Sequence, residues 1–182
     1  MGQFVMKESE SFKFIGETPS FDSLLTQISL LSEDDWTQYR ERRLRGGAAA
    51  EQTDTIPLIY DLAQNINSNI IHEKYGIFNP YMDAVMELVS ESLGTLSIKQ
   101  AMLTRLRSGS VIGRHRDRGP LTAKTHRIHV PVITNEQCLF TVDDEVRNLQ
   151  AGEVWIIDNV GRYHSVENKG QQDRVHLIID AM

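Results

Sequence analysis

Thr125-His126-Arg127-Ile128-His129-Val130-Pro131-Val132 alternates with a period of two. One parity carries Thr125, Arg127 and His129, and the other carries Ile128, Val130 and Val132. Successive side chains on a strand point to opposite faces, so the stretch reads as a strand with one polar and one apolar face. His126 has the parity opposite to Arg127 and His129 and is expected to point away from whatever they line. Near the end of the chain, Arg174-Val175-His176-Leu177-Ile178-Ile179-Asp180 repeats the pattern, with Arg174 and His176 on one face and Val175, Leu177 and Ile179 on the other. An arginine and imidazoles aimed at an interior need an anionic occupant, because an unpaired buried charge is costly. A dicarboxylate is such an occupant.

Working outward, the strands frame His115, Asp117 and His164. His115 and Asp117 stand at i and i+2, and at a strand end that spacing turns an imidazole and a carboxylate to the same side, where they can grip one face of a metal ion. His164 follows a run of strand-like segments long enough to bring a later strand back beside the first and supply the third ligand. Two histidines and one carboxylate on one face of an octahedral ion leave the opposite face open. That is the arrangement with which non-haem Fe(II) oxygenases take up cosubstrate and dioxygen.

The run His115-Arg116-Asp117, then Thr125 to Pro131, Gly152-Glu153-Val154-Trp155-Ile156-Ile157-Asp158, His164, Asn168 and Arg174 to Asp180 resembles the aspartyl/asparaginyl β-hydroxylase branch of the Fe(II)/2-oxoglutarate oxygenases, over residues 97–182. The resemblance implies a mainly β fold with flanking helices: a double-stranded β-helix, or jelly roll of cupin type, with N-terminal helices packed outside and iron at the barrel mouth. It makes His115, Asp117 and His164 the iron ligands and gives Arg174 the distal carboxylate of 2-oxoglutarate, with Thr104 as hydroxyl partner. Arg127 and His129 fall where the family lines its cosubstrate and substrate pocket. The implied activity is hydroxylation of an unactivated C–H bond of an amino acid or amino-acid residue, using Fe(II), 2-oxoglutarate and O2, with release of succinate and CO2 and with ascorbate supporting turnover in vitro. Two alternatives stand beside it: a metal-dependent cupin enzyme that does not use 2-oxoglutarate, and a non-catalytic protein that binds metal or a small acid.

A chain of 182 residues, 40% apolar, fits one domain, with residues 1–95 as helical support carrying short strands and 96–182 as the catalytic core. The net charge of −6 points away from nucleic acid and anionic membranes as partners. Cys138 is the sole cysteine, so no intramolecular disulfide forms, in keeping with a reducing compartment. Residues 1–8 do not read as a signal peptide, Met6 stands where an N-myristoylation motif wants Ser or Thr, and no apolar run approaches the ~20 residues of a membrane span, so a cytoplasmic location is expected. Charge is uneven, however. Arg105, Arg107, Arg114, Arg116, Arg118, Lys124 and Arg127 face a single acid, Asp117, giving that segment a formal +6. Arg105 and Arg107 are expected to face water. Arg116, Arg118 and Arg127, with Arg114, are candidates to capture an anionic group of a small-molecule or peptide substrate, most simply a carboxylate.

The remaining elements follow from local signals. A strand is expected over 11–16, and a helix over 20–31 with Ser20 as N-cap. A second helix begins at Ser32 and runs to about Arg45, its arginines on a solvated face. A flexible connection spans 46–52, and a strand over 55–60 is pushed toward a sheet edge by Pro57. Asn79 and Pro80 start a helix that ends at Leu93 before Gly94, with an apolar stripe through Met82, Val85 and Val89. A strand or strand pair over 96–107 turns at 108–110, a hairpin turns at Asp143-Asp144, and 154–157 is a buried strand. His72 is read as a half-buried or surface residue with no role.

Overall fold

A computed structural model describes residues 11–39, 52–60 and 70–182. Residues 1–8, the Arg40 to Arg45 run and nearly all of the expected 46–52 connection lie outside them. Strands β1 (Phe12–Glu17), β2 (Thr53–Tyr60), β3 (Ile70–Ile71), β4 (Ile98–Leu106), β6 (His126–Ile133), β9 (Glu153–Ile157) and β11 (Arg174–Ala181) make one antiparallel sheet in the order β1-β9-β6-β11-β4-β2-β3. A smaller antiparallel sheet has the order β5-β10-β7-β8, from β5 (Val111–His115), β10 (His164–Asn168), β7 (Cys138–Val142) and β8 (Glu145–Arg147). The two face each other as the jelly roll that the sequence implies.

The helices cover the outer face of the large sheet. Leu24 and Ile28 of α1 (Phe21–Ser29), Trp36 of α2 (Glu33–Thr37), and Met82, Val85 and Val89 of α3 (Asn79–Leu93) bury against Ile56, Leu103, Ile128, Val130, Leu177 and Ile179. These are the apolar parities of β2, β4, β6 and β11. A second cluster, including Phe12, Leu106, Phe140, Trp155 and Ile157, fills part of the space between the sheets. Among the described residues no helix is long and apolar enough to cross a membrane.

Several local expectations change. Ser20 precedes α1 but sits at φ 64° and its side chain makes no cap bond, because a left-handed backbone does not present its hydroxyl to the helix start. Ser32, in extended conformation, does cap α2. It accepts from the Asp35 amide while the Asp35 carboxylate accepts from the Ser32 amide at 3.0 Å, a reciprocal arrangement that contributes about 1 kcal/mol. That helix ends at Thr37 instead of running toward Arg45, and Gln38 turns its amide to the Asp35 carbonyl and the Tyr75 hydroxyl. Pro57 is on the last strand but one. It pairs with Met102 of β4, and the register of β2 against β4 shifts between Pro57 and Ile59, an irregularity of the kind at which a sheet tolerates proline. His72 is half-buried and meets the Tyr39 hydroxyl.

Arg105 and Arg107 do not simply face water. Their parity opposes that of Thr104, as expected, but that face of β4 is covered by α2. Arg105, 7% exposed, donates to Glu33 at 2.7 Å and to Asp54 at 2.8 Å and lies 4.9 Å from the Trp36 ring centre, while Arg107 reaches the same two acids. Hydrogen bonds from the two arginines hold Glu33 down at about 2. The pair therefore ties α2 to the sheet and is spoken for.

Register sets what the inner face presents. Across β4, β11 and β6 the pairings Leu106 with Arg174, Thr104 with His176, Met102 with Ile178 and His129, and Gln100 with Asp180 and Arg127 place all these side chains on one face. That face looks toward the small sheet.

Candidate metal centre

Antiparallel pairing of β5 with β10 makes His115 and His164 direct cross-strand partners, and their ring centres lie 4.2 Å apart. The Nδ1–H of His115 donates to the Gly113 carbonyl at 2.8 Å, a tautomer that leaves Nε2 free to coordinate. Asp117 lies two residues beyond the strand end, where its amide donates to the Asn159 carbonyl at 2.9 Å. This anchor turns its carboxylate back over the histidines: Oδ1 is 3.4 Å from His115 Nε2 and 3.7 Å from His164 Nε2. One donor atom from each residue lies within 4.8 Å of the other two.

The protonation states suit a cation. Burial alone would raise the Asp117 pKa, but the hydrogen bond with His115 and the charge of Arg127 hold it well below the ordinary carboxylate range. Burial pushes His164 down to about 4, leaving it neutral, as a metal ligand must be. The Asp117 hydrogen bond raises His115, so the carboxylate draws positive charge to the spot between them. Metal ions compete with protons for such a spot.

The other oxygen of Asp117 is also engaged. Oδ2 accepts from Arg127 Nη1 and from Asn159 Nδ2, the latter at 3.3 Å. Arg127 meets Asp180, which is wholly buried, through two parallel bonds of 2.7 Å each. The donors of Arg127 are thus committed to acids, although it lines the cavity as expected. His129, 3% exposed, is next to Asn159 at 3.4 Å and burial keeps it neutral.

Arg174 is different. It is 3% exposed, and among the described residues no carboxylate contacts it. One Nη donates to His176 Nδ1 at 2.8 Å, and burial brings its pKa down to about 10, still charged at neutral pH. The Thr104 hydroxyl, His129 Nδ1 and Asn159 Oδ1 are buried without a hydrogen-bond partner. Buried polar groups are normally paired, so a guanidinium facing no acid, together with the Thr104 hydroxyl and His129 Nδ1, fits an anionic guest, whereas Asn159 Oδ1, an acceptor, suits a donor.

All of these open into a cavity of about 610 Å³, lined by the three candidate ligands, Arg174, Thr104, Arg127, His129 and Asn159. Its wall over β4 and β11 is formed by Gln100, Met102 and Ile178, and its rim carries Arg116 and Arg118. The guanidinium groups of Arg114 and Arg116 lie 4.2 and 4.3 Å from the Tyr163 ring centre. His126 is on the outward face of β6 and does not line the cavity, in keeping with its parity. Sequence reasoning missed Asn159 and the partnership of Asp180 with Arg127. Asp180 shares its parity with Arg174 and His176, which was the available signal; Asn159, in a turn, left none.

The family model for aspartyl/asparaginyl beta-hydroxylases matches residues 78–182. An L-proline cis-4-hydroxylase of Rhizobium meliloti (strain 1021) is 28% identical over 101 residues, covering 56% of this chain and 35% of that protein. The chain therefore spans about a third of that relative's length. Among solved structures, AviO1 from Streptomyces viridochromogenes Tue57 superposes with a TM-score of 0.58 at 14% identity, covering 94% of this chain and 89% of that one. A 2OG-Fe(II) oxygenase family oxidoreductase from Burkholderia pseudomallei gives 0.57 at 11% identity, with 90% of each chain covered. A Pseudomonas putida prolyl-4-hydroxylase gives 0.54 at 12%, covering 95% and 92%. At these identities the structural likeness is one of fold.

Proposed function

Because the chain belongs to the aspartyl/asparaginyl β-hydroxylase family, we propose that it is an Fe(II)/2-oxoglutarate-dependent dioxygenase that hydroxylates an unactivated C–H bond of an amino-acid substrate. The observation that carries this reading is the sharing of one cavity by a two-histidine, one-carboxylate set and a buried arginine that, among the described residues, has no carboxylate partner. His115 Nε2, His164 and Asp117 Oδ1 are the proposed iron ligands. Arg174, with Thr104 beside it on the same sheet face, takes the distal carboxylate of 2-oxoglutarate. Bound Fe(II) and 2-oxoglutarate supply the oxidising chemistry: O2 gives one oxygen atom to the cosubstrate, which leaves as succinate and CO2, and the other to the substrate C–H bond.

The protein's own groups select the substrate. Arg116 and Arg118 at the rim are the proposed partners of a substrate carboxylate. Beneath them, Met102, Ile178 and Gln100 offer neutral and apolar surface, and the deep cation on that side, Arg127, is held by Asp117 and Asp180. A substrate with an uncharged side chain at the reacting carbon suits this wall better than one with a second carboxylate, which would need a free buried cation. The proline-directed relative supports an amino-acid substrate of that kind.

A screen of free amino acids and short peptides with Fe(II), ascorbate and 2-oxoglutarate, read by mass spectrometry for one added oxygen and by succinate release, tests the reading. The expected best substrate has a carboxylate and a neutral side chain. Its kcat/KM falls as ionic strength rises, and Arg116→Ala or Arg118→Ala raises its KM by about tenfold, the loss of a charge-assisted bond, with little change in KM for 2-oxoglutarate. No succinate with any candidate overturns the proposal. A preference for acidic side chains overturns the assignment of the wall.

A further inference from the structure

Asp180 touches no candidate metal ligand, yet it is fully buried and its carboxylate is gripped through both oxygens by Arg127. The third guanidinium nitrogen of Arg127 reaches Oδ2 of Asp117, the oxygen that does not face His115. A planar guanidinium presents its donors in a fixed fork, so holding Asp180 with two nitrogens fixes where the third one points. We infer that Asp180 and Arg127 form a clamp that restricts Asp117 to single-oxygen coordination and balances the charge around the metal, which makes Asp180 a positioning residue for metal affinity. Neither residue is a ligand in this role.

The electrostatics require the distant member. A guanidinium hydrogen-bonded to a metal-binding carboxylate brings positive charge toward the cation and withdraws charge from its ligand. In a buried site that repulsion is poorly screened. Asp180 offsets it: two carboxylates against one guanidinium leave one negative charge for the incoming cation. Asp180 reaches this position from β11, the strand that also carries Arg174, because its register pairs it with Arg127 on β6. Asn159 adds a neutral bond to the same Oδ2 at 3.3 Å and its amide lies 3.4 Å from His129, completing the outer support of the carboxylate. Such outer partners orient ligands and typically carry a 10- to 100-fold effect on affinity.

The clamp presupposes the metal reading proposed above, so the test measures metal binding without turnover. Mn(II) affinity is measured by the EPR signal of free ion on the full chain, for wild type, Asp180→Asn and the double variant Asp180→Asn with Arg127→Gln. Asp180→Asn is expected to weaken Mn(II) by about 10- to 100-fold, because Asp117 is then the acid that balances Arg127 and no net negative charge remains for the cation. The double variant removes the guanidinium charge and is expected to bind more tightly than Asp180→Asn but more weakly than wild type, since the fork is gone. A purely structural role predicts no such recovery. Wild-type affinity in Asp180→Asn overturns the clamp, as does a double variant no tighter than the single one. Should Asp180→Asn fail to fold, the double variant, which keeps the Asp117 carboxylate but no guanidinium beside it, carries the test alone, and wild-type affinity there overturns the clamp. If wild type itself binds no Mn(II), the metal reading falls and the clamp falls with it, so the two failures are distinct.

Discussion

His164→Ala is expected to abolish Fe(II) binding and all turnover while the chain still folds. His164 is 4% exposed at the start of β10, registered against His115 on one side and Val142 on the other, so its ring is the member of the set most firmly placed by sheet pairing. Removing it deletes a coordinate bond, which costs more than the roughly 10- to 100-fold attached to loss of an outer partner. The backbone pairing survives the change, and burying a smaller side chain without metal present costs about 1–3 kcal/mol. Metal content of the purified variant and coupled 2-oxoglutarate decay are the measurements. A variant that still converts 2-oxoglutarate in step with product formation refutes the ligand assignment. His126→Ala, on the outward face of the neighbouring strand, is the control and should retain iron at wild-type levels.

How much of this site could be read from the chain depends on the range of the interaction involved. The parity of 125–132 and 174–180 correctly separated the side chains that look into the cavity from those under the helices, because alternation is a property of the strand itself. Asp180 has the parity of Arg174 and His176, a signal the reading of that strand left unused, and parity does not say which cation Asp180 meets. That pairing depends on β11 lying between β4 and β6, a matter of topology that period-two alternation does not contain. The same limit explains the arginines. The excess of positive charge between residues 105 and 127 is real in sequence, yet Glu33 and Asp54 neutralise Arg105 and Arg107 from elements more than fifty residues away. Asp180 does the same for Arg127 from the far end of the chain. Among the described residues, the arginines at the cavity that meet no acid are a narrower set, Arg116 and Arg118 at the rim and Arg174 within. Helix boundaries failed for a related reason. Ser20 and Ser32 are the same residue type before a helix, but Ser20 is αL and is followed by the single acid Asp22, whereas Ser32 is extended and meets Asp35 at the third helical position, so Ser32 alone of the two caps its helix.

Arg174→Lys is expected to raise the KM for 2-oxoglutarate by roughly 10- to 100-fold while metal affinity in the absence of cosubstrate stays at the wild-type level. A guanidinium holds a carboxylate through two parallel charge-assisted bonds, each worth about 1.5–3 kcal/mol, and an ammonium cannot reproduce the pair. Burial sharpens the difference. It brings Arg174 down to about 10, which leaves the arginine charged through neutrality. The same burial would act on a lysine whose ordinary pKa is ~2 units lower, moving its loss of charge toward neutral pH. The sign then follows: raising pH strips the lysine of its charge, so the variant's KM for 2-oxoglutarate should climb across the neutral and mildly alkaline range, while the wild-type value holds. Two independent readouts therefore converge on one residue, the size of the KM change at fixed pH and its slope with pH. An unchanged KM, or one that rises equally with pH in both proteins, moves the cosubstrate anchor away from Arg174. It would leave the orphaned hydroxyl of Thr104 and the Arg174 guanidinium without an anionic occupant, and a small acid other than 2-oxoglutarate would become the better candidate for the cavity.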